Sequence, residues 1–373
     1  MRIVHIINGL GDGGAEHTLY KVCKYDIKNK HIVISFKKNG KYFSLLKKLG
    51  IKVYCLNANF FSIHKFFFLI KLLRSLKPDI AQTWLVHADL IGSIAARLAN
   101  IKNVVWNVRY SKIEIGKAKL TTILIIKILA KMSYVLPKLI IIVSKKAKKI
   151  YEDIGYDKKK LKFIPNGYDL SSFKIDKNQK IKFKKKINLR KSIPLIGYVA
   201  RYDPLKDHLN LLYALSLNRL KGVEFLCLLV GTNVNKSKIL INEIKKLRLN
   251  KYVRLLGPTN NISKVMNSLD IHVQSSLSEG FPNVVAEAMG HKTPCIVTNV
   301  GDSNEIVGMT GWIVPPKKPI KLAKTIELAL NEVGTKNWRK RCNNARVRIK
   351  EKFSIKQMIN SYNEIWIKVY KKN

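Results

Sequence analysis

Ile3-Val4-His5-Ile6-Ile7-Asn8-Gly9-Leu10-Gly11-Asp12-Gly13-Gly14-Ala15-Glu16 is the stretch on which the fold turns. An apolar run of strand length breaks at Asn8-Gly9. A glycine-rich turn follows and opens into Glu16–Tyr25, which has helical spacing. The run from Met1 is too short for a signal peptide and reads as a first strand. Strand, tight turn, helix is the unit that builds parallel sheets. Outward from it the unit repeats. Ile32–Phe36, Val53–Leu56, Ile80–Thr83, Val104–Val108 and Ile140–Val143 read as strands, and Tyr42–Leu49, Phe66–Leu76 and Leu90–Asn100 as helices between them. This is an α/β, doubly wound pattern.

The alternation lapses near residue 166, where a lysine-rich run from Lys174 to Lys191 reads as an interdomain connection that has room for a helix. It restarts at Pro194-Leu195-Ile196-Gly197-Tyr198-Val199. Phe225–Val230, Val253–Leu256, Ile271–Gln274, Cys295–Thr298 and Trp312–Val314 follow as strands. The expected organisation is a first Rossmann-like domain over 1–165, a linker over 166–192, a second Rossmann-like domain over 193–353, and a helix over 354–373. That helix carries one apolar stripe: Ile355, Met358, Ile359, Tyr362, Ile365, Trp366 and Val369.

The 373 residues are 47% hydrophobic and 25% charged, which excludes general disorder and low-complexity classes. The net charge is +46, and 57 of the 70 basic residues are lysine. Such a charge points to nucleic acid or an anionic membrane. Its distribution is uneven: residues 192–314 carry +4, against +13 for 1–111, +17 for 112–191 and +12 for 315–373. The five cysteines are dispersed without a C-x-x-C pair, which fits a reducing compartment and no zinc cluster. No apolar run approaches the roughly 18 residues of a membrane span.

Four stretches can carry chemistry. The Gly13-Gly14 turn lets backbone approach a phosphate or a sugar at a helix start, or it is only a tight turn. No acid follows the second strand, which ends Ser35-Phe36-Lys37-Lys38, so a nicotinamide dinucleotide is disfavoured. In Gln274–Gly290, Glu279 precedes a helix and Glu287 lies two turns inside it. Pro282 suits the helix start and Gly290 its stop. A rise of ~1.5 Å per residue spreads the two carboxylates by roughly 10 Å, too far for a metal pair or a close acid/base pair but suited to two hydroxyl-bearing ends of one long ligand, or they are simply two solvated acids of an amphipathic helix. Backbone N–H groups of Phe281 and Asn283 point outward from that start. Arg201 and Lys206 flank a proline turn after a strand, where paired cations can neutralise a diphosphate or simply be exposed. Phe163-Ile164-Pro165-Asn166-Gly167 ends the first domain as an Asn-Gly turn.

In this order and setting, these residues resemble a retaining glycosyltransferase of family 4 (glycosyl transferases group 1) with the GT-B architecture. The resemblance rests on Gly-Gly-Ala-Glu at 13–16, Ile-Pro-Asn-Gly at 164–167, Arg201 with Lys206, and Glu279-Gly-Phe-Pro-Asn with Glu287. Gly301 to Glu305 and Gly311-Trp-Ile-Val-Pro315 complete it. It implies two Rossmann-like domains facing a central cleft, the C-terminal helix crossing back to the first. It implies a nucleotide-sugar donor, a UDP- or GDP-sugar, on the second domain and the acceptor on the first. Arg201 and Lys206 would hold the diphosphate; Glu279, Gly280, Phe281, Pro282 and Asn283 the donor sugar; Glu287 the ribose; and Gly13 and Gly14 would approach from the first domain. No cofactor and no metal are implied, the cations taking the metal's place. Many relatives place a His after the strand matching Val104–Val108. Here that position is Arg109, which cannot act as a base but can hold negative charge. His87 is the nearest alternative, either facing the crevice or a satisfied structural residue.

The implied function is metal-independent hexosyl transfer with retention to a glycan or lipid-linked acceptor, in surface polysaccharide or lipopolysaccharide biosynthesis. The implied place is the cytoplasm, peripherally on the inner face of the membrane. Residues 117–150 mix apolar and basic positions and read either as an interfacial helix on an anionic bilayer or as a buried helix with a lysine face. The competing classes are a basic nucleic-acid-binding protein, for which no recognition motif is present, and another nucleotide-binding Rossmann enzyme.

Overall fold

The computed structural model describes residues 1–37, 40–57, 62–109, 120–259 and 261–371. The first sheet contains β1 (Arg2–Ile7), β2 (Lys30–Ser35), β3 (Lys52–Cys55), β4 (Ile80–Trp84), β5 (Val104–Val108), β6 (Leu139–Ile142) and β7 (Leu161–Phe163), in the order β3-β2-β1-β4-β5-β6-β7. The second contains β8 (Leu195–Val199), β9 (Leu226–Val230), β10 (Val253–Leu256), β11 (Ile271–Gln274), β12 (Cys295–Thr298) and β13 (Trp312–Val314), in the order β10-β9-β8-β11-β12-β13. The pairings are parallel. The fold is α/β with two Rossmann-like domains.

A parallel sheet must be covered on both faces, which explains the unbroken apolar runs. All five residues of β4 and of β5 are buried. Along β1 the side chains divide by parity: Val4 and Ile6 enter one core, Ile3 and Ile7 the other. In each sheet the strand order reverses once, between β1 and β4 and between β8 and β11. Loops at the carboxyl ends of those strands splay apart there, which is where doubly wound sheets take ligands.

The chain forms two compact units, Met1–Gly167 with Ile355–Asn373, and Tyr168–Ser354. The C-terminal helix Ile355–Tyr370 lies in the first unit. Its buried Met358, Ile359, Tyr362, Ile365, Trp366 and Val369 share a core with Ile3, Ile7, Trp84, Val105 and Ile141. Trp366 Nε1 donates to Gln82 Oε1 at 2.7 Å.

The lysine-rich stretch differs from its reading as a linker: from Tyr168 onward it belongs to the second unit. Asp176 caps the helix Lys177–Lys186. Lys180 and Lys184 pair with the buried Asp270 at 2.7 and 3.0 Å. Burial pushes the Asp270 carboxyl up, but the two lysines and the Leu195 N–H outweigh it and hold it below the ordinary value. The acid that orders these lysines lies far downstream, so the run alone looks solvated. One proline assignment shifts by a residue, while the glycine stop falls where the sequence puts it. Pro282 is the N-cap of the helix Asn283–Gly290 rather than inside it. Gly290 is that helix's last residue, and it is glycine because a Cβ there would meet the Phe173 ring.

Candidate active site

In the second unit, β8 and β11 end beside each other and each releases a loop. After β8 the chain passes Arg201 and enters a short turn, Pro204–Lys206, capped by Asp203. Asp207 then takes a left-handed φ of 46° and caps the helix His208–Leu220 through the Asn210 N–H. This sharp reversal leaves Lys206 at the strand end. After β11 the loop carries Ser275, Ser276 and Glu279. Lys206 Nζ donates to Glu279 Oε1 at 2.6 Å, and Ser276 Oγ donates to the same oxygen at 2.7 Å. The carboxylate is nearly buried, with 11% side-chain exposure. Its Oε2 has no partner among the described residues, which leaves one oxygen able to accept from a hydroxyl.

The Tyr198 hydroxyl donates to the Lys206 carbonyl at 2.7 Å and lies 3.0 Å from Ser276 Oγ. Burial, and secondarily the Glu279 charge, push this phenol well above its ordinary value, so it stays a neutral donor. Arg201 is placed differently from Lys206. Its guanidinium pairs with Asp203 at 3.1 Å, and its side chain is 60% exposed, at the rim.

Glu279-Gly280 is held from below by Gly301. Gly301 has a φ of 50°, and a Cβ there would meet the carbonyls of Glu279 and Gly280. The Asp302 N–H donates to the Gly280 carbonyl at 2.9 Å. Phe281 is buried against Phe353 with ring centroids 5.6 Å apart. Asn283 Oδ1 accepts from the Tyr168 hydroxyl at 2.6 Å. Glu287 is half-buried within the helix, and its carbonyl accepts from His291 Nδ1 at 2.8 Å.

In the first unit, Gly13 is the N-cap of the helix Gly14–Tyr25, and a Cβ on Gly13 would meet the Glu16 carboxylate. Burial raises the Glu16 carboxyl. His87 stands in the first turn of the helix Val86–Leu98, which follows β4 through Leu85 at a φ of 74°. Its Nδ1 lies 3.5 Å from Asn8 Nδ2, at the end of β1, so it sits at the strand reversal. Burial, then Lys37, lower its imidazole below the ordinary value and keep it neutral at pH 7.

Arg109, at the end of β5, ties four segments together. It donates to Asn107 Oδ1 (2.9 Å), Thr18 Oγ1 (3.0 Å), Asn166 Oδ1 (2.7 Å) and the Tyr362 hydroxyl (3.0 Å), and lies over the Trp84 ring. Among the described residues all of these partners are neutral, so the position keeps its positive charge uncompensated. Tyr110 and Ser111, which follow it in the chain, lie outside the described residues. Asn166 thereby gains a role that an Asn-Gly turn did not reveal. Ser276, Tyr198 and Tyr362 were also not legible as site residues, since hydroxyls carry no spacing signal.

One buried cluster was not foreseen. His5, Cys23 and His31 bring ligand-type atoms within 4.8 Å of one another. Their lone pairs are already committed. Trp84 Nε1 can only donate, so His5 Nδ1 accepts, at 3.1 Å; His5 Nε2–H then faces His31 Nδ1 at 2.9 Å, and His31 Nε2–H faces Asp26 at 3.1 Å. Burial pushes the Cys23 thiol far up, against the thiolate a metal needs. The cluster is a hydrogen-bond chain.

Two family models match the chain: Glycosyltransferase Family 4 over residues 12–172 and Glycosyl transferases group 1 over residues 179–348. An Escherichia coli protein named UDP-Gal:alpha-D-GlcNAc-diphosphoundecaprenol alpha-1,3-galactosyltransferase is 30% identical over 244 residues, 64% of this chain and 62% of that one. The alignment thus spans less than two thirds of that relative. The Staphylococcus aureus capsular polysaccharide biosynthesis glycosyltransferase CapH is 24% identical over 82% of this chain and 83% of its own. Among solved structures, Anabaena HepE in complex with UDP superposes with a TM-score of 0.87 at 21% identity, covering 98% of this chain and 99% of that one. A Rickettsia africae glycosyltransferase gives 0.87 at 23%, covering 100% and 99%. These likenesses show the GT-B fold.

Proposed function

This chain belongs to glycosyltransferase family 4, and from that premise we propose that it moves a hexose from a nucleotide-sugar, a UDP- or GDP-sugar, to a lipid-linked or glycan acceptor. Transfer proceeds with retention and without a divalent metal, in the assembly of a surface polysaccharide or lipopolysaccharide on the inner face of the membrane. The observation that carries this reading is the Lys206–Glu279–Ser276 constellation at the β8/β11 reversal. The E. coli relative's name includes a UDP-sugar donor and a diphosphoundecaprenol acceptor, which supports the substrate classes.

Lys206 has three N–H donors and uses one on Glu279, so the others are available to diphosphate oxygens. Arg201 at the rim supplies a second cation. Preorganised charge in a partly desolvated site stabilises the departing diphosphate without a metal. Glu279 Oε2, with the Gly280–Asn283 backbone, accepts and orients the donor hydroxyls, and Glu287 takes the ribose. The anomeric carbon–diphosphate bond breaks as the acceptor oxygen bonds to the same face, and its proton passes to the departing phosphate. In the first unit Gly13 and Gly14 offer close backbone approach. His87 is the neutral group at the reversal. Arg109 positions Asn166 and Tyr362 while adding positive potential.

A thermal-shift panel of UDP-, GDP- and ADP-sugars tests the donor. Mass spectrometry of a diphosphate-lipid acceptor, with and without EDTA, and NMR of the product's anomeric configuration test the rest. Absence of any shift and of any product across the panel would sink the proposal. Loss of product with EDTA would remove its metal-free part, and an inverted anomer its retention.

A further inference from the structure

The three helices on one face of the first sheet carry a charge and apolar pattern that the transfer chemistry does not use. Ile63–Leu76, Val86–Leu98 and Leu120–Met132 pack side by side over one core. Helix Ile63–Leu76 turns Leu69, Ile70 and Leu73 inward. It leaves Ile63, Phe67 and Phe68 73%, 64% and 51% exposed. Helix Leu120–Met132 buries Ile125, Ile126, Leu129 and Ala130. It leaves Leu120 and Leu124 84% and 60% exposed. A soluble surface scatters such residues; here five of them stand in the first two turns of two helices in one layer, with Ile128 further along the second helix and Leu98, Tyr134 and Val135 exposed at or beyond the far helix ends.

The ionic content is one-sided. These helices contain Lys65, Lys71, Arg74, Arg97, Lys127 and Lys131, and their single acid is Asp89. Asp89 is 1% exposed and takes the Thr83 hydroxyl, so it offers no countercharge at the surface. Of the wider segment read as interfacial, residues 117–119 lie outside the described residues. The helix Lys145–Asp153 beyond it carries its own acids, Glu152 and Asp153. The acid-free pair is therefore Ile63–Leu76 with Leu120–Met132.

Topology fixes where the apolar turns lie. In a parallel sheet a helix begins at the carboxyl end of the strand before it. Ile63 follows β3 and Leu120 follows β5, so the N-terminal halves of both helices lie toward the edge that carries the Gly13 turn, His87 and Arg109. We propose that these two helices form a membrane-docking face: Phe67, Phe68, Leu120 and Leu124 enter the interface of an anionic bilayer, and the lysines and Arg74 contact its headgroups. The occupant is a lipid surface because the face joins exposed apolar tips to uncompensated cations, the pairing that interfacial binding requires. The proposal rests on the lipid-linked acceptor reading, since docking there would bring the acceptor edge to the lipid.

The test is co-sedimentation of the full chain with vesicles of phosphatidylglycerol and phosphatidylcholine, and with pure phosphatidylcholine, across a salt series. Wild type, Phe67→Ser/Phe68→Ser and Leu120→Ser/Leu124→Ser are compared. Wild type is expected to bind the anionic vesicles, and each double variant to lose roughly tenfold or more in partitioning with an unchanged melting temperature. Phe67→Trp should show blue-shifted emission and quenching by brominated lipid. Absent wild-type binding at low salt, unchanged binding by both double variants, or an unquenched tryptophan overturns the proposal. So does a self-associated protein that the serine variants dissociate but that ignores vesicles. Transfer to a water-soluble diphosphate acceptor is measured in parallel. Transfer without vesicle binding removes the docking face and leaves the transferase reading intact, whereas vesicle binding without transfer does the reverse.

Discussion

Lys206 sits with its ammonium 2.6 Å from Glu279, on a turn that Asp203 and Asp207 cap from both sides. Its substitution therefore removes a charge without removing the turn. Lys206→Ala is expected to lower kcat by about 10²–10³-fold, the scale of losing one preorganised electrostatic contact, while the melting temperature changes little. Steady-state transfer with thermal unfolding on the same sample checks both halves. Gly301 makes the complementary case. With a φ of 50° and carbonyls of Glu279 and Gly280 where a Cβ would stand, Gly301→Ala must displace the loop that presents Glu279. A misplacement of this kind costs on the order of 10²-fold in transfer. Donor KM and kcat measured for this variant would show the loss; wild-type values would mean the loop is not tied to Gly301. The sequence marks Lys206 and Glu279 as charges near strand ends, but not that they touch. That contact depends on β8 and β11 being neighbours, which is a property of strand order.

At the scale of elements, the C-terminal helix Ile355–Tyr370 shows what periodicity reveals and what it leaves out. The apolar stripe fixes the helix and its buried face. It does not say which core the face completes. The structure gives it the face of the first sheet that holds Ile3, Ile7, Trp84 and Val105, where Trp366 is fully buried and bonded to Gln82. Trp366→Ala is expected to cost about 3–5 kcal/mol, combining a cavity with an unpaired buried amide. Hydrogen exchange should report the loss in β1 and β4 while β8 and β11 keep their protection. Equal loss in both sheets would contradict the division into two units. The lysine-rich helix Lys177–Lys186 is the opposite instance. Its period is weak, and it is ordered by Asp270, a partner that no local window contains.

For the whole molecule, acid sensitivity has a definite sign. His272 is fully buried, and neither ring nitrogen has a hydrogen-bond partner among the described residues. Burial lowers it from the ordinary 6.5 to about 3. The unfolded chain therefore takes up this proton first. The stability tied to neutral His272 is complete above pH 6.5 and is lost as pH falls toward 3, with a slope of about 1.4 kcal/mol per pH unit. His208, at about 4, acts in the same direction. His272→Leu should flatten the pH dependence of second-unit stability by that slope between pH 6 and pH 4.5, read from urea unfolding. An unchanged slope would mean that His272 is protonated in the folded state.

The net charge of +46 belongs to this scale as well. By itself it fits nucleic acid or a membrane. What separates the two is where the cations stand, and the acid-free helix pair beside exposed phenylalanines is the ground on which we propose lipid. The sequence by itself determined the α/β class, the strands of both sheets except the short edge strand β7, the C-terminal helix and the family motifs, because periodicity, turn chemistry and motif spacing are local; β7 is three residues long, too short to show a period. Only the tertiary structure decided that Glu279 joins Lys206 and Ser276, that Arg109 is bound by Asn166 and Tyr362, and that His5 and His31 form a chain to Asp26. Those contacts join residues far apart in the chain. Strand order, helix docking and the burial they create bring them together, and none of these has a signature in a short window of residues.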